Sequence, residues 1–132
     1  MTANIHPTAL VADGATLGKG VEIGPYCIVD ADVVIGDNTI LQSHVVVKNN
    51  THIGQNNVIY PFASLGQVPQ DLKYEGEKTT LVIGDNNTIR ESVTMSIGTN
   101  GGGGVTMVGN GNLFMALSHV GHDTQIGNNN GF

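Results

Sequence analysis

Every sixth residue from Ile5 is aliphatic: Ile5, Val11, Leu17, Ile23, Val29, Ile35, Leu41, Val47, Ile53, Ile59 and Leu65. Four positions after these residues stand side chains that are mostly small or β-branched, among them Ala9, Ala15, Val21, Cys27, Val33, Thr39, Val45 and Ala63. A period of six matches neither the ~3.6 of a helix nor the ~2 of one continuous strand, and predicts short strands separated by regular turns. In each unit the small residue and the next aliphatic residue are two apart, so both face one side of a strand and the residue between them faces out. Gly, Asn and Asp between the pairs, as in IGDN at 35–38 and 83–86, supply the backbone angles of a corner. Hexads sustained in this way mark an all-β chain wound as a parallel β-helix.

The frame breaks twice. From Leu65 to Ile83 the chain runs eighteen residues, three hexads by count, without the pattern, which predicts an excursion at about 67–82 that returns in register. A second, Gly-rich break at about 98–106 contains GTNGGGG, after which Val108, Phe114, Val120, Ile126 and Phe132 resume the count. Loops that leave a rigid scaffold are where binding and catalysis concentrate. The GGGG at 101–104 lacks the strand before and helix after that a phosphate cradle requires, so it reads as a flexible loop.

Composition narrows the partners. The net charge is −6 and only 5 residues are Lys or Arg, too few to neutralise a nucleic acid or settle on an anionic membrane. The start, MTANIHPTAL, has no signal-peptide pattern, and no apolar run approaches the ~18 residues of a membrane span. These features predict a cytoplasmic chain without stable membrane insertion. The single Cys27 falls on a small inward position and reads as core.

The stretch SHVGHD, 118–123, holds the most reactive side chains. Counting from Phe114, Ser118 and Val120 point in, His119 points out, and His122 with Asp123 falls at the next corner. Three readings are open: solvated surface histidines, metal ligands, or a general base with an orienting carboxylate. A metal needs three or four ligands and no further Cys or His stands nearby, so no metal is expected. A base is chemically apt, because a neutral imidazole with an ordinary pKa of about 6.5 accepts protons near neutrality.

The motif QDLKY at 70–74 followed by Gly76 and Glu77, together with HPTA (6–9), IGPYCIV (23–29), SHVVV (43–47), FASLG (62–66) and IRESVT (89–94), resembles the UDP-N-acetylglucosamine O-acyltransferases. These are hexapeptide-repeat enzymes of the first step of lipid A biosynthesis. The resemblance runs along nearly the whole chain and implies a left-handed coil, a sense that the period alone does not supply. It also implies transfer of a 3-hydroxyacyl chain from acyl carrier protein to the 3-hydroxyl of UDP-N-acetylglucosamine, without a cofactor. By that resemblance His122 is the base and Asp123 its orienter, while Gln70, Asp71, Leu72, Lys73, Met115 and His119 bind substrate. His44 matches a family position and reads as structural. Ser96 and Ile97 stand where the family pattern commonly has a histidine or other polar residue followed by an arginine, a departure from the resemblance.

Family members continue through further coils to a helical domain, so residues 1–132 are expected to be one β-helix domain of a longer protein, with little activity alone. A homotrimer is expected as well, because a flat prism face cannot enclose a sugar nucleotide and a neighbouring subunit must close the cleft. Two rivals differ in their product: a related sugar N-acyltransferase would make an amide, and a purely structural β-helix would make nothing.

Overall fold

The computed structural model describes residues 2–132 and contains eighteen short strands in six turns of a triangular prism. The first turn holds β1 (Asn4–Ile5), β2 (Leu10–Val11) and β3 (Thr16–Leu17). The second holds β4 (Glu22–Ile23), β5 (Ile28–Val29) and β6 (Val34–Ile35). The third holds β7 (Ile40–Leu41), β8 (Val46–Val47) and β9 (Thr51–Ile53). The fourth holds β10 (Val58–Ile59), β11 (Ser64–Gln67) and β12 (Thr80–Ile83). The fifth holds β13 (Thr88–Ile89), β14 (Thr94–Ser96) and β15 (Val105–Val108), and the sixth β16 (Leu113–Phe114), β17 (His119–Val120) and β18 (Gln125–Ile126).

Each strand pairs in parallel with the strand one turn on, which gives three six-stranded sheets: β1 to β16 in the first, β2 to β17 in the second and β3 to β18 in the third. The hexads explain this arrangement directly. In the middle turns the aliphatic residue of each unit, from Ile23 to Val120, is buried, and Val21, Cys27, Val33, Val45, Ala63 and Val93 fill the core between them. Burial raises the Cys27 thiol pKa, which keeps it a neutral core residue. Its Sγ points to the Gln42 carbonyl at 3.2 Å.

The two excursions are shorter than the sequence predicts, spanning 68–79 and 97–104, because β12 and β15 take up residues on both of their returning sides. Thr80 pairs with Val105 and Ile83 with Val108, a four-residue ladder that the pattern of two-residue strands does not anticipate. The first excursion returns in register, as the break in the pattern predicts. Ile35 pairs with Ile53, eighteen residues on, whereas Ile53 pairs with Ile83, thirty residues on, so twelve residues loop out within a single corner. Ile83 and Val108 are twenty-five apart, which puts seven extra residues in the second excursion.

Candidate active site

Both excursions leave the same edge of the prism. The segments 68–79, 97–104 and 121–124 each join a strand of the second sheet to one of the third, on three successive turns. Stacking therefore sets residues far apart in the chain side by side, and His122 with Asp123 lies beside the seven extra residues of the turn before.

The Asp123 carboxylate is the best anchored group there. Its side chain is only 10% exposed. Oδ1 accepts the Thr99 backbone N–H at 2.8 Å, and Oδ2 accepts the Thr99 hydroxyl at 2.6 Å. The Asp123 N–H donates to Thr106 Oγ1 at 2.8 Å, and the residue adopts φ of 65°, a left-handed conformation that Asp tolerates better than most residues. His122 Nδ1 lies 2.9 Å from the same Oδ2. An ionised carboxylate only accepts, so Nδ1 carries the hydrogen and Nε2 keeps its lone pair. Burial opposes ionisation of Asp123, but the hydrogen bonds from the Thr99 hydroxyl and His122 outweigh it and hold the carboxyl below its ordinary range.

The free Nε2 faces the first excursion. Asp71 Oδ2 lies 4.0 Å from it, beyond hydrogen-bond reach, and both atoms are acceptors that can each take a separate hydroxyl. Asp71 is fixed by its own turn: Oδ1 accepts the Lys73 N–H at 3.0 Å and its carbonyl accepts the Tyr74 N–H at 3.0 Å. Glu77 ties the two excursions together, with Oε1 accepting the Glu75 N–H at 2.8 Å and Oε2 the Asn100 N–H at 3.3 Å. The Glu75 N–H bond leads in lowering the Glu77 carboxyl pKa. Gln70, Leu72 and Lys73 are exposed, and Lys73 borders an open depression of about 430 Å³ with Glu77 and Asn100.

His119 points outward from β17 as its hexad position predicts, with Nδ1 2.7 Å from Thr94 Oγ1 on the neighbouring strand. Met115 is exposed at the edge between the first and second sheets, so it stands at the other end of β17 from the His122 cluster and does not join it. Ser96 and Ile97, where the family pattern fails, are both buried. His44 stacks between Tyr26 and Phe62, with ring centroids 5.2 and 5.0 Å away, in keeping with a structural role.

The sequence reading passes over Thr99. Its signal is the glycine content around it, because only a missing Cβ lets the carboxylate approach this closely. A Cβ on Gly102 would lie 2.1 Å from Asp123 Oδ2, and one on Gly98 2.7 Å from Oδ1. Gly98 and Gly102 thus form a fitted seat for Asp123.

Residues 14–49 match the family model for the bacterial transferase hexapeptide, six repeats. Over 121 residues the chain is 61% identical to the acyl-[acyl-carrier-protein]–UDP-N-acetylglucosamine O-acyltransferase of Rickettsia canadensis, covering 92% of this chain and 46% of the relative. The fold superposes on LpxA from Acinetobacter baumannii with a TM-score of 0.96 and 49% identity, over 97% of this chain and 50% of the other. It superposes on the UDP-N-acetylglucosamine O-acyltransferase from Moraxella catarrhalis with a TM-score of 0.92 and 50% identity, over 93% of this chain and 48% of the other. The prism shares the left-handed sense of these β-helices. The chain spans about half the length of the curated relatives it matches.

Proposed function

This chain belongs to the hexapeptide-repeat bacterial transferases, and on that premise we propose that it forms part of an enzyme moving a 3-hydroxyacyl chain from acyl carrier protein to the 3-hydroxyl of UDP-N-acetylglucosamine. The observation that carries the reading is the orientation of His122, whose Nδ1 donates to an anchored carboxylate and whose Nε2 faces a second carboxylate across 4.0 Å. A sugar hydroxyl bound at Nε2 passes its proton there as its oxygen attacks the thioester carbonyl, while Asp71 accepts from a neighbouring hydroxyl of the sugar. The C–S bond then breaks, and the leaving thiolate takes up the proton from the imidazolium. Asp123 remains ionised throughout and stabilises the imidazolium, and direct transfer needs no covalent enzyme intermediate.

Gln70, Asp71, Leu72 and Lys73 are proposed to hold the sugar nucleotide, with the Asp71 carboxylate accepting from hydroxyls and the Lys73 ammonium meeting phosphate charge. His119 lines the same approach from the flat face of β17, and Met115 belongs to a more distant part of the substrate path. The site lies on an outer edge of the prism, so the opposing wall is proposed to come from a second copy in a homotrimer. Among the described residues no helix is long and apolar enough to cross a membrane, and a cytoplasmic location belongs to the same proposal.

The intact protein, incubated with 3-hydroxyacyl carrier protein and UDP-N-acetylglucosamine, should yield an ester. An amide would indicate the N-acyltransferase rival, and no product a structural role. Replacing His122 with Ala should lower turnover by about 10²–10⁴ with the fold retained. Unchanged turnover in His122→Ala removes the base from this mechanism.

A further inference from the structure

We propose that Thr99 is a positioning residue for the transfer reaction, holding Asp123 so that His122 stays in the Nδ1–H tautomer. The inference rests on the reading of His122 as the base. The contact between His122 and Asp123 depends on where the Asp123 carboxylate is held. Thr99 supplies that hold from the far side, through its N–H to Oδ1 at 2.8 Å and its hydroxyl to Oδ2 at 2.6 Å.

The hydroxyl is itself directed. Thr99 Oγ1 accepts the Gly102 N–H at 3.1 Å, which occupies a lone pair and leaves the hydroxyl hydrogen for Asp123. Thr99 is 6% exposed, so water does not readily replace its hydroxyl. A continuous chain results, from the Gly102 amide through the Thr99 hydroxyl and the Asp123 carboxylate to the imidazole. The hydroxyl and the imidazole bind the same carboxylate oxygen, so losing the hydroxyl leaves only the Thr99 N–H to Oδ1 as the hold from that residue and lets the carboxylate turn about its terminal torsion, weakening its bond to the imidazole. Without that partner the imidazole relaxes toward the Nε2–H tautomer, which cannot accept the substrate proton at Nε2.

The decisive variant is Thr99→Val, which keeps shape and removes the hydroxyl, with Thr99→Ser as rescue. Nitrogen NMR of His122 at alkaline pH should show Nδ1–H in the unmodified protein and in Thr99→Ser, and a shift toward Nε2–H in Thr99→Val. Turnover should fall about 10- to 100-fold in Thr99→Val, the cost of a slightly misplaced catalytic group, with little change in KM for the sugar nucleotide. Thr99→Ala provides the same comparison if valine disturbs the loop. An unmoved tautomer and turnover within about twofold in folded Thr99→Val and Thr99→Ala would overturn the proposal. The NMR readout tests positioning independently of catalysis, and His122→Ala turnover tests the base alone, so the two readings can fail separately.

Discussion

Asp123 joins most of the site's chemistry, and its ionisation gives the site a dependence on pH. Its carboxyl is held below the ordinary value of 3.8 despite burial, because the Thr99 hydroxyl and His122 bond the charged form. A depressed carboxyl pKa stabilises the fold fully above the unfolded-state value, and that contribution disappears as pH falls through the folded-state value. The charge-neutral Asp123→Asn variant lacks this linkage but keeps a residue that tolerates the left-handed φ. Urea unfolding of both proteins should therefore show a stability gap that narrows as pH falls below about 4. A gap independent of pH would mean that Asp123 gains nothing from its bonds. At this scale the sequence makes His122 and Asp123 legible, because reactive side chains at a corner stand out from an aliphatic hexad. Thr99 does not stand out: it lies twenty-four residues before Asp123, in a loop whose path the period leaves open. Met115 carries no geometric signal in the sequence and falls at a different edge.

The turns between the third and first sheets carry an internal polar ladder. Asn57 Oδ1 accepts the Asn87 N–H, Asn87 Oδ1 accepts the Asn112 N–H and Asn112 Oδ1 accepts the Asn130 N–H, each at 2.8 Å. Their amide nitrogens donate at 2.9 Å to the carbonyls of Gly84, Gly109 and Gly127. Each asparagine thus ties the next turn at two points, and among the described residues no buried side-chain nitrogen or oxygen lacks a partner. Asn87→Leu preserves bulk but strands the Asn112 N–H and the Gly109 carbonyl. With about 1–3 kcal/mol per orphaned group, unfolding free energy should drop by about 2–6 kcal/mol in urea titrations. A loss under about 1 kcal/mol would show that the ladder is incidental. Element placement is otherwise well marked by the period, apart from the four-residue lengths of β12 and β15. An insertion of twelve residues preserves a count in sixes, so the first excursion returns in register, and it is the missing aliphatic pattern that reveals it. The seven-residue insertion shifts the phase and announces itself.

Over the whole molecule the three edges of the prism have separate tasks. Tyr26, His44 and Phe62 stack along the edge between the first and second sheets with φ of 60°, 56° and 68°. The edge between the second and third sheets releases both excursions and carries the His122 site. The edge between the third and first is closely stacked, because a glycine opens the turn after β12 and the one after β15, with their backbones almost touching. A Cβ on Gly84 would lie 2.7 Å from the Gly109 carbonyl oxygen and 2.2 Å from Asn110 Oδ1. That Asn110 oxygen accepts the Asp85 N–H at 2.7 Å, so it cannot swing aside without breaking the bond that joins the two turns. Gly84→Ala should therefore push the turns apart and lower stability by about 1–3 kcal/mol, the usual cost of overpacking. Because the strain enters at an edge remote from the excursions, the His122 tautomer should stay Nδ1–H in the same variant. Loss of stability with an unmoved His122 signal is the expected result, and a tautomer shift in Gly84→Ala would show that the edges do not act independently.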